Sequence, residues 1–374
     1  MKNLDYLTIE YCDNICNQVD TFKKKIEIIN GCEVIQYSYI ISDNNVFEKY
    51  NAWELRGLTF VNNKRYLMLK KFFNINQTTG VMYDDVKNKQ IKLVQEKADG
   101  SMIRFVNING KIYAKSKFSF QSEQAKMAQE IYETNPLINE FVNKMLLKNL
   151  APIFELVGPD NRIVISYPKN ELVLLQVRDE NTGEYYNIYN SFDKRIKRAE
   201  YINMHDLDLL ISKSAKLKNI EGWVIIFNDN TIIKLKTSWY FNLHNIITNV
   251  NNSNNILSAI FNNKIDDVLS QLDENFIDIR NNINKLNSKV IEWISNTLNK
   301  ITKLLKLLDT MSRKEFALEY KNNKLFSIVM RSIGKNEEEI IDIIRNYGIK
   351  ITSKLHNADK FIKNVLEFEE GIYV

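Results

Sequence analysis

The sequence predicts an α+β protein, with antiparallel strands and interspersed helices up to residue 244 and an all-helical region over 245–374. Three observations carry this expectation. Eight of the eleven glycines and all four prolines precede Asn245, so turn chemistry is concentrated in the first part. Asn109-Gly110 separates two apolar-rich runs, Met102–Ile108 and Lys111–Lys117, as a two-residue hairpin turn does. Ile283, Leu286, Val290, Ile294, Leu298, Ile301, Leu305 and Leu308 recur at spacings of three and four, which puts them on one helix face.

The remaining elements follow in order. Short apolar runs at Ile91–Glu96, Ile153–Val157, Leu172–Val177, Trp223–Phe227 and Thr231–Lys236 read as strands. Gln121–Glu133 reads as a helix. Another begins at Asn135, with Pro136 in its first turn and an apolar face of Leu137, Ile138, Phe141, Val142 and Met145. In the second part, Ser312 with Glu315 makes a capping box that opens a helix, and Glu337–Ile344 reads as a further short one. The Asn-rich stretch Asn249–Asn255 is expected to be a loop or linker.

Composition narrows the function classes. The 374 residues suggest two or three domains at roughly 100–200 residues each. A 44% hydrophobic and 26% charged chain excludes wholesale disorder. No run of 18 apolar residues exists, so no membrane span or membrane partner is expected. Met1–Glu10 carries Asp5 and Glu10 and lacks the apolar stretch of a signal peptide. Cys12, Cys16 and Cys32 are an odd set near one end, which fits a reducing, cytoplasmic setting better than a disulfide framework. The net charge is +5; residues 245–374 hold 18 basic and 17 acidic side chains, leaving 33 and 29 before them. Any polyanion site is therefore local rather than a general basic surface.

The chemistry-bearing residues are these. Lys97-Ala98-Asp99-Gly100 puts a primary amine at a strand end, on a turn whose glycine allows close approach of a ligand. An amine of pKa near ~10.4 is almost wholly protonated at neutral pH, so a nucleophilic lysine needs neighbouring cations to lower it. Alone, K-x-D-G arises by chance in about one chain in ten, and a solvated turn lysine is the plainer reading. Lys234 and Lys236 alternate with Ile233 and Leu235, so both ammonium groups share one strand face, as suits a phosphate chain or a protected sheet edge. Glu221 opens the preceding strand and could hold a divalent metal through oxygen. Glu155 interrupts an apolar run, where a carboxylate is costly unless it is paired. Arg56 and the Lys70-Lys71-Phe72-Phe73 run add cations and aromatics. His205, His244 and His356 are scattered, so zinc is not expected, and neither G-x-G-x-x-G nor a Walker A sequence occurs.

Read in order, Lys97-Ala-Asp-Gly, Lys115-Ser116-Lys117, Phe154-Glu155-Leu-Val-Gly, Glu221-Gly-Trp-Val and Lys234-Leu-Lys236 resemble motifs I, Ia, III, IV and V of the covalent nucleotidyltransferases. Glu54-Leu-Arg56-Gly, Lys71-Phe-Phe73-Asn, Ser122-Glu-Gln-Ala, Asn161-Arg-Ile-Val and Ser238-Trp-Tyr240-Phe-Asn-Leu-His244 narrow the resemblance to the RNA ligase 1 family of the T-even phage, tRNA-repair type. It covers roughly residues 35–245. It implies an ATP-grasp-like nucleotidyltransferase domain over 1–244 and a helical RNA-specificity domain over 245–374. The activity it implies is ATP-dependent RNA ligation with Mg2+ or Mn2+. The expected substrate is nicked tRNA, with an end-healing polynucleotide kinase/phosphatase as functional partner.

Carried over motif by motif, the resemblance makes Lys97 the nucleophile. Arg56, Lys71, Lys234 and Lys236 fall at ATP-phosphate positions, Lys117 at the second lysine of motif Ia within the ATP-binding set, and Glu155 at the ribose contact. Tyr39 and Phe73 match aromatic nucleotide-pocket positions; Glu221, Tyr240 and Asp266 match metal-linked ones. The chain departs from the pattern at Ala98, where an acid is usual, and at Phe118, where glycine is usual. DNA ligases and mRNA capping enzymes share these motifs but continue into an OB-fold, which needs strands where this sequence has helical periodicity. A non-catalytic RNA-binding protein of the same fold is the remaining alternative, and it would be expected to have lost Lys97 or a motif V lysine.

Overall fold

The computed structural model describes residues 4–40, 44–270, 272 and 276–368. Two compact units divide it, Met1–Phe241 and Asn242–Val374, and the boundary falls inside the helix Ser238–Val250.

Among the described residues the first unit contains three four-stranded sheets. One is built from β1 (Phe22–Ile29), β2 (Cys32–Tyr39), β3 (Leu58–Val61) and β4 (Lys64–Tyr66), in that order. A second has the order β5 (Phe73–Asn74), β12 (Ile232–Lys236), β11 (Gly222–Phe227) and β6 (Ile91–Glu96). The third has the order β10 (Glu171–Asp179), β9 (Leu150–Val157), β7 (Ser101–Ile108) and β8 (Lys111–Lys115). All pairings are antiparallel except the short β5–β12 one, where Ile233 faces Phe73 in parallel. Asn109 and Gly110 take φ of 51° and 81°, as a two-residue hairpin turn between β7 and β8 requires. Asn30 and Gly31 (φ 50° and 76°) do the same between β1 and β2.

Helices cover the third sheet. Ser122 accepts from the Ala125 N–H to cap Glu123–Thr134, and Asn135 caps Pro136–Leu147 through the N–H groups of Leu137 and Ile138. Ile138, Phe141, Val142 and Met145 pack on Phe154 and Leu174. Burying a side chain of this size removes it from water at about 1.5–3 kcal/mol apiece. Ile15, Leu207 and Leu210 close the core of the other two sheets against Trp223 and Ile233.

Among the described residues of the second unit, every regular element is a helix. The recurring apolar positions lie on one helix, Ile277–Leu308, which buries Ile279, Ile283, Leu286, Val290, Ile301 and Leu308. Ile301, Leu308, Phe316, Ile328 and Ile344 share one core, and Ser312–Glu315 is a capping box. The helix expected at Glu337–Ile344 runs on to Ile351. The expected loop at Asn249–Asn255 reduces to a turn at Asn251–Asn252. The helix Ser253–Phe261 begins at once, because Ile256, Leu257, Ile260 and Phe261 have a core to bury in.

Candidate active site

Register brings the distant motifs together. Trp223 of β11 faces Glu96 of β6, and the Lys97 N–H donates to the Gly222 carbonyl at 2.9 Å. Gly222 in turn faces Lys236 of β12. The nucleophile candidate, the motif IV acid and the motif V lysines therefore sit on three adjacent strands. Two glycines allow this closeness. A Cβ at Gly222 (φ +142°) would lie 2.0 Å from the Leu235 carbonyl oxygen, and one at Gly100 would lie 2.1 Å from that of Leu156.

Glu221 is the hub. Its buried carboxylate takes Lys97 Nζ on Oε2 at 2.7 Å and Lys236 Nζ on Oε1 at 3.0 Å. Its two partners, Lys97 and Lys236, line a cavity of about 390 Å3 together with Arg56, Lys117, Glu155 and Lys234. Arg56 Nη1 is buried in this structure without a hydrogen-bond partner. Burial, followed by the charges of Arg56, Lys97, Lys71 and Lys236, pushes Lys234 down to about 7. A buried guanidinium nitrogen with no partner among the described residues and a neighbouring lysine of lowered pKa suit an anion. The far wall is apolar and amide: Leu69, Phe72, Leu175, Gln95 and Gln176.

Lys97 itself behaves differently from the sequence expectation. Burial works to lower its pKa, but Glu221, Glu155 and Asp99 outweigh burial and raise it. Lys97 is an ion-paired ammonium, and the lowering expected from neighbouring cations falls on Lys234 instead. Glu155 is pushed up to about 7, chiefly by burial and against the pull of Lys97.

Asp99 was not singled out from the sequence, although it stands inside K-x-D-G. Its Oδ2 accepts from the Val164 and Ile165 N–H groups at 2.8 and 2.7 Å, and its Oδ1 from Tyr240 Oη at 2.7 Å. Tyr240 thus braces the nucleophile turn. Asp266, expected to work with Tyr240, lies in the second unit on Ile265–Leu269.

The expected aromatic pair is also arranged differently. Phe73 and Tyr39 do not line the cavity; Phe72 does, with the Arg56 guanidinium 5.5 Å and Lys234 Nζ 5.4 Å from its ring centre. Strand alternation turns Phe73 into the core, 2% exposed. Lys71 Nζ stands over the rings of Tyr39 and Phe73, and Lys117 Nζ donates to the Tyr39 carbonyl at 3.0 Å. Lys115 points the other way, fully buried, and donates to the Gly57 carbonyl at 2.9 Å. Beneath the same segment Arg178 grips Glu54 through two bonds of 2.9 and 2.8 Å. The loop carrying Arg56 is thereby fixed from below.

Among the described residues no three His, Cys, Asp or Glu side chains gather to hold a metal ion. Mg2+ commonly needs only one or two carboxylates, completing its shell with phosphate oxygens and water. Glu221 lies behind Lys97 and Lys236 rather than on the cavity wall, and a carboxylate so placed fits an ion that arrives with a polyphosphate once those ion pairs open.

Several known proteins are similar to this chain. A chain from Thermovibrio ammonificans, an inferred RNA ligase, is 26% identical over 262 residues, covering 66% of this chain and 68% of its own length. An inferred bifunctional polynucleotide kinase/RNA ligase of Autographa californica nuclear polyhedrosis virus is 23% identical over 89% of this chain, which spans about half (51%) of that longer protein. Among solved structures, an archaeal ATP-dependent RNA ligase superposes with a TM-score of 0.42 at 14% identity, over 64% of this chain and 62% of its own. The family model described as RNA ligase matches residues 54–245, just over half of the sequence and the span that holds every cavity-lining cation named above. The chain belongs to the RNA ligase family.

Proposed function

We propose that this protein is an ATP-dependent RNA ligase that joins a 5′-phosphate to a 3′-hydroxyl through a covalent lysine–AMP on Lys97. One observation carries the reading: the Lys97 amine opens into a cavity whose walls hold Arg56, Lys117, Lys234 and Lys236, a charge set suited to a polyphosphate.

In the first step Lys97 Nζ attacks the α-phosphorus of ATP. A P–N bond forms as the bond to the bridging oxygen breaks, and pyrophosphate leaves. The amine must first shed the proton that Glu221 stabilises. Once that ion pair opens, burial and the charge of Lys234 favour the neutral amine, against the weaker pull of Glu155 and Asp99. Arg56, Lys234 and Lys236 offset charge building on the phosphate oxygens. Mg2+ or Mn2+ held through Glu221 would add to that neutralisation. In the second step an oxygen of the RNA 5′-phosphate attacks the same phosphorus, the P–N bond breaks and Lys97 regains its proton. In the third, the RNA 3′-hydroxyl loses its proton and attacks the activated 5′-phosphorus, expelling AMP. Glu155, with a pKa of about 7, suits a ribose hydroxyl, because it can accept or donate near neutrality.

The reading assigns adenylyl transfer to residues 1–244 and choice of RNA to the helical residues 245–374, with broken tRNA anticodon loops as substrate and a cytoplasmic site of action. A helical second unit favours an RNA ligase over a DNA ligase or capping enzyme, whose OB-fold is made of strands. The joined kinase and ligase in the baculovirus relative support a partner activity that prepares RNA ends.

The test is incubation with α-32P-labelled ATP and Mg2+. Wild-type protein should take up covalent label and Lys97→Ala none. Lys97→Ala should still seal pre-adenylylated RNA in part, since the third step needs no lysine nucleophile. Absence of label on folded wild-type protein removes the reading.

A further inference from the structure

Lys71 has an unusual environment for a surface-derived cation. Its Nζ lies 4.8 Å from the ring centre of Phe73, 5.1 Å from that of Tyr39 and 5.4 Å from that of Phe47. Among the described residues no carboxylate forms an ion pair with it. Its charged neighbours are cations, Arg56 and Lys117, and burial with those two brings its pKa down to about 8. Lys117 Nζ also sits over Tyr39, 4.5 Å from the ring centre.

The rings form a rigid set. Tyr39 meets Phe47 edge to face at 4.9 Å and 83°, and Phe47 meets Phe73 at 5.9 Å and 72°. Trp53 backs Phe73 at 5.6 Å and 81°. Phe47 is fully buried. Tyr39 at the end of β2, Phe47 on the short helix Asn44–Lys49 and Phe73 of β5 thus converge on one ammonium. The negative ring faces supply the only electrostatic support described for a half-buried charge repelled by its cationic neighbours.

We propose that Tyr39, Phe47 and Phe73 are a cage that holds the Lys71 ammonium in place beside Arg56 and Lys117 at the phosphate end of the ATP site, so that these rings position a charge rather than stack on a base. The proposal rests on the ATP-dependent reading above. It accounts for why Tyr39 and Phe73 stay out of the cavity while Phe72 lines it. Lys71, like the rings of Tyr39 and Phe73, lies outside the cavity wall that its neighbours Arg56 and Lys117 form, so the three rings are positioning residues that act on ATP through the charge of Lys71 behind that wall.

Fluorine substitution tests this, because it drains the ring face of negative charge with little change in shape. Phe73 is replaced with mono-, di- and trifluorophenylalanine, and the ATP concentration dependence of Lys97 adenylylation is measured in the full chain. The expected result is a stepwise rise in KM for ATP, reaching about 3-fold to 10-fold, with a smaller change in the rate at saturating ATP. The same series in a Lys71→Met background should be flat, since no ammonium remains to feel the ring. The Phe47 series repeats the test at a second position should one analogue disturb folding. A KM that ignores fluorination in both series, or that responds equally without Lys71, overturns the cage. Failure of the unsubstituted protein to label overturns the ATP-dependent reading instead, so the two failures are distinguishable.

Discussion

Replacing Glu221 with glutamine should make Lys97 a far stronger acid. Glu221 Oε2 lies 2.7 Å from Lys97 Nζ, and the carboxylate is 2% exposed against 22% for the lysine. Two unit charges at that distance attract by about 6 kcal/mol at an effective dielectric near 20. At about 1.4 kcal/mol per pH unit this sets a ceiling of about four pH units. The amide still accepts a hydrogen bond, and Glu155 and Asp99 still favour the charged amine. The expected fall is therefore about one to three pH units, the usual effect of one close opposite charge. Its sign follows from what is left behind: burial and Lys234 both oppose the ammonium once Glu221 is neutral. The assay is the pH dependence of acylation of Lys97 by a small amine-directed reagent, followed by mass spectrometry of the peptide. Wild type should titrate above the ordinary lysine range and Glu221→Gln well below the wild-type midpoint. An unchanged or raised midpoint in the variant would refute the claim that this ion pair keeps the resting nucleophile charged.

Gly100→Ala should lower the melting temperature by about 4–10 °C and abolish labelling, because its Cβ would press on the Leu156 carbonyl oxygen at 2.1 Å; differential scanning calorimetry and the labelling assay read both effects. Binding of a non-hydrolysable ATP analogue at pH 8 should take up about one proton. Lys234, at about 7, and Lys71, at about 8, are partly neutral there, and a bound polyanion restores their charge. Calorimetry in buffers of different ionisation enthalpy measures that uptake, which should fade by pH 6; net proton release at pH 8 would contradict it. Arg178→Met leaves the Glu54 carboxylate buried without its two donors and should destabilise the first unit by about 3–5 kcal/mol in urea unfolding.

The sequence by itself determined the local elements and the order of the chemical groups. Asn109-Gly110 named its hairpin, Asn135-Pro136 and Ser312–Glu315 named helix starts, and the apolar spacing from Ile283 to Leu308 named a long helix. Each is a short-range pattern written within a few residues. Asn30-Gly31 carried the same hairpin signal for β1 and β2, unread because its flanking runs alternate weakly, with charges along β1.

Tertiary structure alone decided how the site works. Trp223 facing Glu96 joins groups more than a hundred residues apart, and no local pattern specifies that register. The fold also turned Lys115 inward from the β7–β8 pair, put Phe72 rather than Phe73 on the cavity wall and gave Asp99 its three donors. It likewise reversed the expected direction at Lys97. The charge state of a buried amine depends on which carboxylate packing brings within hydrogen-bond reach, and a carboxylate 124 positions further along the chain becomes a neighbour only when the sheet closes.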